Sequence, residues 1–201
     1  MFGRGFYYLR HGETDYNVQK ILQGHSDIPL NAKGREQAHL AAQILARHPI
    51  DRIITSPLVR AAETAEIING VLQKPIIHDD RLKERSFGLL EGMNAAQVTQ
   101  WEQDNQYLET PIELETGFRP PPEGEAYAVF EKRVTDVVTD YLNRYPDEEL
   151  LFVAHGRVFA TVHYTLFSRD IFSQNAHPYY FNQTEGQWRL DCLVTQQQGY
   201  N

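Results

Sequence analysis

Short apolar runs alternate with longer segments of helical spacing along this chain, and polar or glycine-bearing stretches separate them. Phe6 to Leu9 is an aromatic and aliphatic run that stops at Arg10-His11-Gly12, which predicts a buried strand opening into a loop. Asn31 to Arg47 predicts a helix, with Asn31 as cap, Ala38, Ala41, Ala42 and Leu45 at helical spacing, and Pro49 beyond its end. Arg52 to Thr55 reads as a second buried strand. Ser56 then offers an N-cap with Pro57 at the first helical position, and the helix continues from Leu58 to Leu72. A strand follows at Pro75 to His78, a polar, glycine-punctuated loop at Asp79 to Gly92, and a helix at Asn94 to Tyr107. Leu108 to Glu125 holds Pro111, Pro120, Pro121 and Pro122 and cannot be regular throughout. Tyr127, Phe130, Val134, Val137, Val138 and Tyr141 mark one face of a long helix ending before Pro146. Leu150 to Ala154 is the most apolar strand and ends at a second His-Gly pair, His155-Gly156. Tyr179 to Asn182 and Gln187 to Val194 predict a hairpin around Thr184-Glu185-Gly186. Strands alternating with helices give an α/β layered sheet, with no internal repeat and no linker to a second domain.

Composition narrows the function classes. A chain of 201 residues fits one domain, or one with an inserted subdomain, at roughly 150 residues per domain. Its 41% hydrophobic and 11% aromatic content argues against disorder. Lys+Arg of 19 against Asp+Glu of 27 leaves a net charge of -8, which disfavours nucleic acid as a partner and, at first sight, any anion. Cys192 is the sole cysteine, so an intrachain disulfide, a CxxC pair and a cysteine-rich zinc site are all excluded, and a reducing compartment fits. The chain shows neither a signal-peptide pattern nor an apolar run near ~18 residues, so the expectation is a cytoplasmic protein without a membrane partner.

In an open α/β sheet, ligands lie beyond the carboxyl ends of the strands. Four groups meet that description: Arg10-His11-Gly12-Glu13-Thr14, Ser56 to Arg60, the Lys83-Glu84-Arg85 loop, and His155-Gly156-Arg157. Two histidines with arginines in equivalent places suit a tetrahedral oxyanion, because guanidinium forks bind phosphate bidentately. Phosphate-ester chemistry needs a nucleophile, neutralisation of the equatorial oxygens, and a proton for the leaving alkoxide. One imidazole would attack phosphorus, the other would stabilise the transferring group, and Glu84 would act as acid and then base, so no metal or other cofactor is required.

Leu9-Arg10-His11-Gly12-Glu13-Thr14 followed by Asn17 resembles the signature of the histidine phosphatase superfamily, which includes cofactor-dependent phosphoglycerate mutases and many small phosphatases. Further pieces occur in order: Gln23-Gly24, Asp27, Pro29-Leu30 and Gly34; Ser56-Pro57-Leu58, Arg60-Ala61 and Thr64-Ala65; Glu84-Arg85, Gly88 and Glu91-Gly92; and Ala154-His155-Gly156. The resemblance implies one phosphoglycerate mutase-like domain over residues 1–201, a three-layer α/β/α sandwich with a mainly parallel central sheet. It implies that His11 is the phosphorylated nucleophile, Arg10 and Arg60 the phosphate clamps, His155 the second histidine and Glu84 the proton donor. Asn17, Gln23, Gly24 and Gly156 fall where phosphate-contacting loops lie.

The expected activity is that of a metal-independent phosphomonoesterase, of histidine acid or broad-specificity phosphatase type, acting on a small phosphorylated metabolite. Mutases of the family hold phosphoglycerate with extra basic residues between the acid loop and the second histidine, whereas Trp101 to Gly117 here contains no Lys or Arg. A mutase therefore stands as the alternative, with a non-catalytic phospholigand-binding protein behind it. Two departures from the family pattern are Gly124-Glu125-Ala126, where many members have Gly-Glu-Ser, and Arg157, where a small or uncharged residue is common. Arg157 could meet a second anionic group, supplement the clamp, or form a surface ion pair. Arg60 could pair instead with Glu63 or Glu66. His25, His39, His48, His78, His163 and His177 are given surface or structural roles, and the absence of HExxH spacing disfavours a metal hydrolase. The proline-rich stretch lacks the basic anchor of an SH3-type ligand.

Overall fold

In the computed structural model, residues 2–105, 120–169 and 171–194 are described. The chain runs β1 (Phe6–Arg10), α1 (Asp15–Gln19), α2 (Ala32–Leu45), β2 (Arg52–Thr55), α3 (Val59–Leu72), β3 (Ile76–His78), α4 (Ala95–Asp104), α5 (Tyr127–Arg144), β4 (Leu150–Ala154), α6 (Gly156–Phe167), β5 (Pro178–Thr184) and β6 (Gln187–Cys192). Short 3-10 turns at Asp80–Leu82 and Gly88–Leu90 punctuate the loop after β3.

The six strands form one sheet in the order β3-β2-β4-β1-β5-β6. The first four are mutually parallel, and β5 and β6 add an antiparallel edge. The apolar runs of β1 and β4 are continuous because strands of a parallel sheet are covered on both faces. One face packs Tyr7, Leu9, Ile53, Leu151 and Val153 against Ala41, Ala42 and Leu45 of α2 and Ala65 and Ile68 of α3. The other packs Phe6, Tyr8, Ile54 and Phe152 against Phe130, Val134, Val137 and Val138 of α5 and Val158, Phe159 and Val162 of α6. Alternate strand residues thus feed two cores, giving the three layers. Fully burying each of these larger side chains contributes about 1.5–3 kcal/mol.

A smaller apolar cluster, Phe87, Leu90 and Val98 with Leu22, Met93 and Trp101, seats α4 beside the loop after β3. Among the described residues no helix is long and apolar enough to cross a membrane.

The helix after β2 corrects one expectation. Val59 is its first residue and Leu58 its cap, with no side-chain capping bond, so Ser56 and Pro57 lie ahead of the helix. Ser56 is held at the carboxyl end of β2 by its backbone N–H on Val153 O, and its hydroxyl serves the site described below. Helix α1 leaves no periodic signal in the sequence: five residues are too few to show a period, and a reciprocal cap between Thr14 and Asn17 forms it. The proposed helix at Asn94 to Tyr107 is capped by Asn94 and runs to Asp104, and Tyr107 lies outside the described residues. So does most of the proline-bearing stretch, residues 108–119, together with the acidic part of Trp101 to Gly117 beyond Asn105.

Candidate active site

Parallel register decides which residues meet. β1 and β4 are neighbours with Leu9 opposite Val153 and Arg10 opposite Ala154, so the residues one step beyond, His11 and His155, emerge side by side. Their ring centroids are 5.3 Å apart. Tyr8 locks this alignment, since its hydroxyl donates to His155 O at 2.7 Å and accepts from His155 N at 3.1 Å. On the other side of β4, Thr55 of β2 lies opposite Val153, which brings Ser56 up to His155. Ser56 Oγ and His155 Nε2 are 2.8 Å apart.

His11 is 3% exposed, and its Nδ1 lies 2.7 Å from Gly12 O. A carbonyl only accepts, so Nδ1 carries the proton and Nε2 keeps its lone pair. Burial, followed by the charges of Arg60 and Arg10, pushes His11 well below the ordinary imidazole value. His155 is lowered well below it by burial and then by Arg60, His11 and Arg10. Both rings are therefore neutral near pH 7, and His11 Nε2 carries an unprotonated lone pair.

The loop that carries His11 is fastened from three directions. Gly12 N donates to Thr64 Oγ1 of α3 at 3.1 Å, and Ala176 N donates to Arg10 O at 2.9 Å. Asn175 Nδ2 donates to His11 O at 3.0 Å and to Asn17 Oδ1 at 3.2 Å. A side chain at Gly12 would put Cβ 2.3 Å from Gly34 O, so only glycine lets the start of α2 pack this closely on the loop.

Arg60, at 1% exposure, donates through Nη1 to Ser26 O and through Nη2 to Gly24 O, both at 2.8 Å. Burial lowers it to about 10, with Glu84, Asp27 and Glu91 opposing. It makes no ion pair with Glu63, which binds Arg35 at 2.6 Å instead. Arg10 donates to Ser173 O through Nη1 at 2.9 Å, and burial lowers its value while Glu84 raises it. Arg10 Nε, Arg60 Nε and His155 Nδ1 are buried without a hydrogen-bond partner among the described residues. Buried donors of this kind suit a site built for an acceptor-rich anion.

Glu84 is 9% exposed and held by two backbone donors. Oε1 accepts from Arg85 N at 3.0 Å, and Oε2 from Arg157 N in the first turn of α6 at 3.1 Å. Arg10, His11, Asn17, Gln23, Gly24, Arg60, Glu84, Gly156, Arg157, Ile21, Leu22, Phe87 and Phe172 line one cleft of about 210 Å³. Every residue expected at the site lines this cleft except His155, which sits against His11 behind it. Asn17 Oδ1 accepts from Thr14 N, so its NH2 group is the end available for donation into the cleft. The Arg157 guanidinium lies 5.7 Å from the Phe172 ring centroid.

Thr64, Asn175 and Glu91 have no individual role in the sequence reading, and Ser56, expected as a helix cap, instead meets His155. Glu91 ties two site loops together: it accepts from His25 N and Phe87 N through Oε1 and from Ser26 N and Oγ through Oε2. A Cβ at Gly24, where φ is +49°, would stand 2.1 Å from Glu91 Oε1. Glu91 and Gly24 both lie in motif pieces legible in the sequence, but their contact joins positions far apart in the chain. His25, given a surface or structural role, places Nε2 2.9 Å from Glu84 O. Among the described residues no three His, Cys, Asp or Glu side chains converge as metal ligands.

The pattern described for the histidine phosphatase superfamily (branch 1) matches residues 6–195. The chain belongs to this superfamily. Among relatives within it, one from Bacillus subtilis (strain 168), named as an uncharacterized phosphatase PhoE, is 39% identical over 148 residues, covering 74% of this chain and 69% of that one. Another from Yersinia enterocolitica, named as a probable phosphoglycerate mutase GpmB, is 36% identical over 158 residues, with coverages of 79% and 72%. A mycobacterial glucosyl-3-phosphoglycerate phosphatase, solved with VO3, superimposes with a TM-score of 0.78 at 28% identity, over 94% of this chain and 98% of that one. As a histidine phosphatase superfamily member, the chain carries the fold of enzymes that are phosphatases or mutases.

The buried neutral histidines of this superfamily site have a measurable cost. Below about pH 6.5 the unfolded chain takes up protons that the folded His11 and His155 refuse, so the unfolded state gains as pH falls. Stability should be flat above that value and fall beneath it by up to about 1.4 kcal/mol per pH unit for each ring. Urea unfolding between pH 7.5 and 5 measures the slope. His11→Gln should make it shallower, and an unchanged slope in that variant would assign the fall to other groups.

Proposed function

We propose that this chain is a metal-independent phosphomonoesterase acting on small phosphorylated metabolites through a phosphohistidine at His11. The observation that carries the reading is the His11 ring: neutral, fixed through Nδ1 on Gly12 O, and presenting Nε2 to a cleft lined by Arg10 and Arg60. The Nε2 lone pair attacks phosphorus, and the P–O ester bond breaks as the leaving oxygen takes the Glu84 proton. Water then attacks phosphorus, Glu84 receives its proton, and the P–N electron pair returns to Nε2 as inorganic phosphate leaves. Arg10, Arg60, the Asn17 and Gln23 amides and the backbone at Gly24 and Gly156 surround the phosphoryl oxygens. Ser56 Oγ already accepts from Leu58 N and can donate its own proton to His155 Nε2, which leaves Nδ1–H as a further donor.

Phosphatase is favoured over mutase by the cations of the cleft. Among its described lining residues, the basic side chains are Arg10, Arg60 and Arg157. The first two belong to the phosphoryl group, which leaves Arg157, among the described residues, as the cation for a substrate carboxylate. The relatives named as mutases keep phosphoryl transfer between positions of phosphoglycerate as the second reading.

A turnover screen over phosphorylated metabolites tests both readings. It should include phosphoglycerates with and without bisphosphoglycerate, in chelator, and alongside His11→Ala. Released phosphate that persists in chelator and vanishes in the variant is expected. Isomerised phosphoglycerate without phosphate release would establish the mutase reading, and activity lost to chelator would overturn the mechanism. Arg157→Ala should weaken bisphosphate or carboxylate-bearing substrates about tenfold relative to monoesters without a second anionic group, as loss of one charged hydrogen bond does.

A further inference from the structure

Arg133 of α5 stands outside the cleft, yet its guanidinium converges on the loop that carries Glu84. Nη1 donates to Arg81 O at 2.8 Å and to Lys83 O at 2.7 Å, and Nη2 donates to Glu84 O at 2.8 Å. The remaining two N–H groups clamp Glu125, with Nε on Oε1 and Nη2 on Oε2, each at 2.7 Å. A guanidinium has five N–H donors in a rigid plane, and here all five have an acceptor. The side chains of Arg133 and Glu125 are 18% and 15% exposed, and the guanidinium lies 4.8 Å from the Phe130 ring centroid.

Glu125 holds the same loop with its backbone. Its N–H donates to Ser86 O at 3.0 Å, and its carbonyl accepts from Arg85 Nε at 3.0 Å. This is the Glu125 of the Gly124-Glu125-Ala126 departure, to which the catalytic scheme gives no role. The loop from Arg81 to Ser86 belongs to no strand, so its carbonyls need donors from elsewhere. Arg133 supplies three of them and fixes the Glu84 peptide from behind, while Arg85 N and Arg157 N fix the carboxylate in front.

We propose that the Arg133–Glu125 pair is a positioning strut that sets the reach of the Glu84 carboxyl to the leaving-group oxygen. The proposal rests on Glu84 being the proton donor. A proton donor matters most when the leaving group is a poor one, so displacing it slows phosphorylation of His11 by alkyl phosphates far more than by activated aryl phosphates. General loss of structure would lower both equally. Lysine keeps the charge at position 133 but offers three donors from a single atom and cannot span five acceptors.

The experiment compares kcat/KM, which reports phosphorylation of His11 and not the dephosphorylation that both esters share, on glycerol phosphate and on 2,4-dinitrophenyl phosphate for wild type, Arg133→Lys, Glu84→Gln and the double variant. Arg133→Lys is expected to lose about 10- to 100-fold on the alkyl ester and little on the aryl ester, because small misplacements of a reacting group cost this much. In the Glu84→Gln background the same change should cost nothing further. Equal losses on both esters, or additive losses in the double variant, would overturn the strut. A Glu84→Gln enzyme without leaving-group dependence would instead remove the proton-donor assignment. If Arg133→Lys does not fold, Glu125→Gln reads the same comparison, since it spares the three carbonyl bonds and loosens only their anchor.

Discussion

His11→Ala should lower kcat by at least about 10⁴-fold and leave no phosphorylated protein, because the variant lacks the atom that accepts the phosphoryl group. The size follows from the mechanism. Arg10, Arg60 and His155 can still bind the phosphate, so KM should change much less than kcat. In the wild-type protein, acid quenching destroys the phosphohistidine, whereas an alkaline quench preserves it for detection. The Gly12 carbonyl holds the Nδ1 proton, so phosphorus NMR of the trapped species should show substitution on Nε2. Phosphate found on Nδ1, or labelling that survives in His11→Ala, would refute this assignment of the ring.

Glu84→Gln should cost about 10²–10⁴-fold in kcat on unactivated esters, the range that a positioned proton donor supplies. The substitution keeps the shape of the side chain, so the comparison isolates proton transfer better than alanine would. It also turns an NH2 group toward Arg85 N or Arg157 N, where the carboxylate accepts from both. Thermal denaturation should accompany the kinetics, and a loss of activity that tracks a fall in Tm would count against the catalytic reading. Full activity on alkyl phosphates would pass the role to another acid.

These two predictions draw on different kinds of information. Both residues could be singled out by reading along the chain, since His11 ends an apolar run and Glu84 sits in a polar loop after a strand. Their chemical states could not. The Nδ1 proton of His11 depends on the carbonyl of its neighbour, a backbone conformation that no periodicity encodes. The net charge of -8 was similarly a poor guide to anion binding, because charges beyond a Debye length of ~8 Å are screened while Arg10 and Arg60 act within the cleft. The Ser56 expectation failed for a related reason. A serine before a proline is a strong local helix-start pattern, but β2 beside β4 draws this hydroxyl to His155.

Local patterning by itself determined the strands β1, β2 and β4, the long amphipathic α5, and the residue types that follow the strands, because each depends on contiguous residues and their hydrophobic period. Tertiary structure decided what those residues became. The order β2-β4-β1 makes neighbours of Ser56, His155 and His11, and return of the chain through Asn175 fastens the His11 loop across 164 positions. Arg133 reaches Glu84 across 49 positions in the same way. Such contacts are set by strand order, register and the satisfaction of buried polar groups, and none of these is a property of neighbouring residues in sequence.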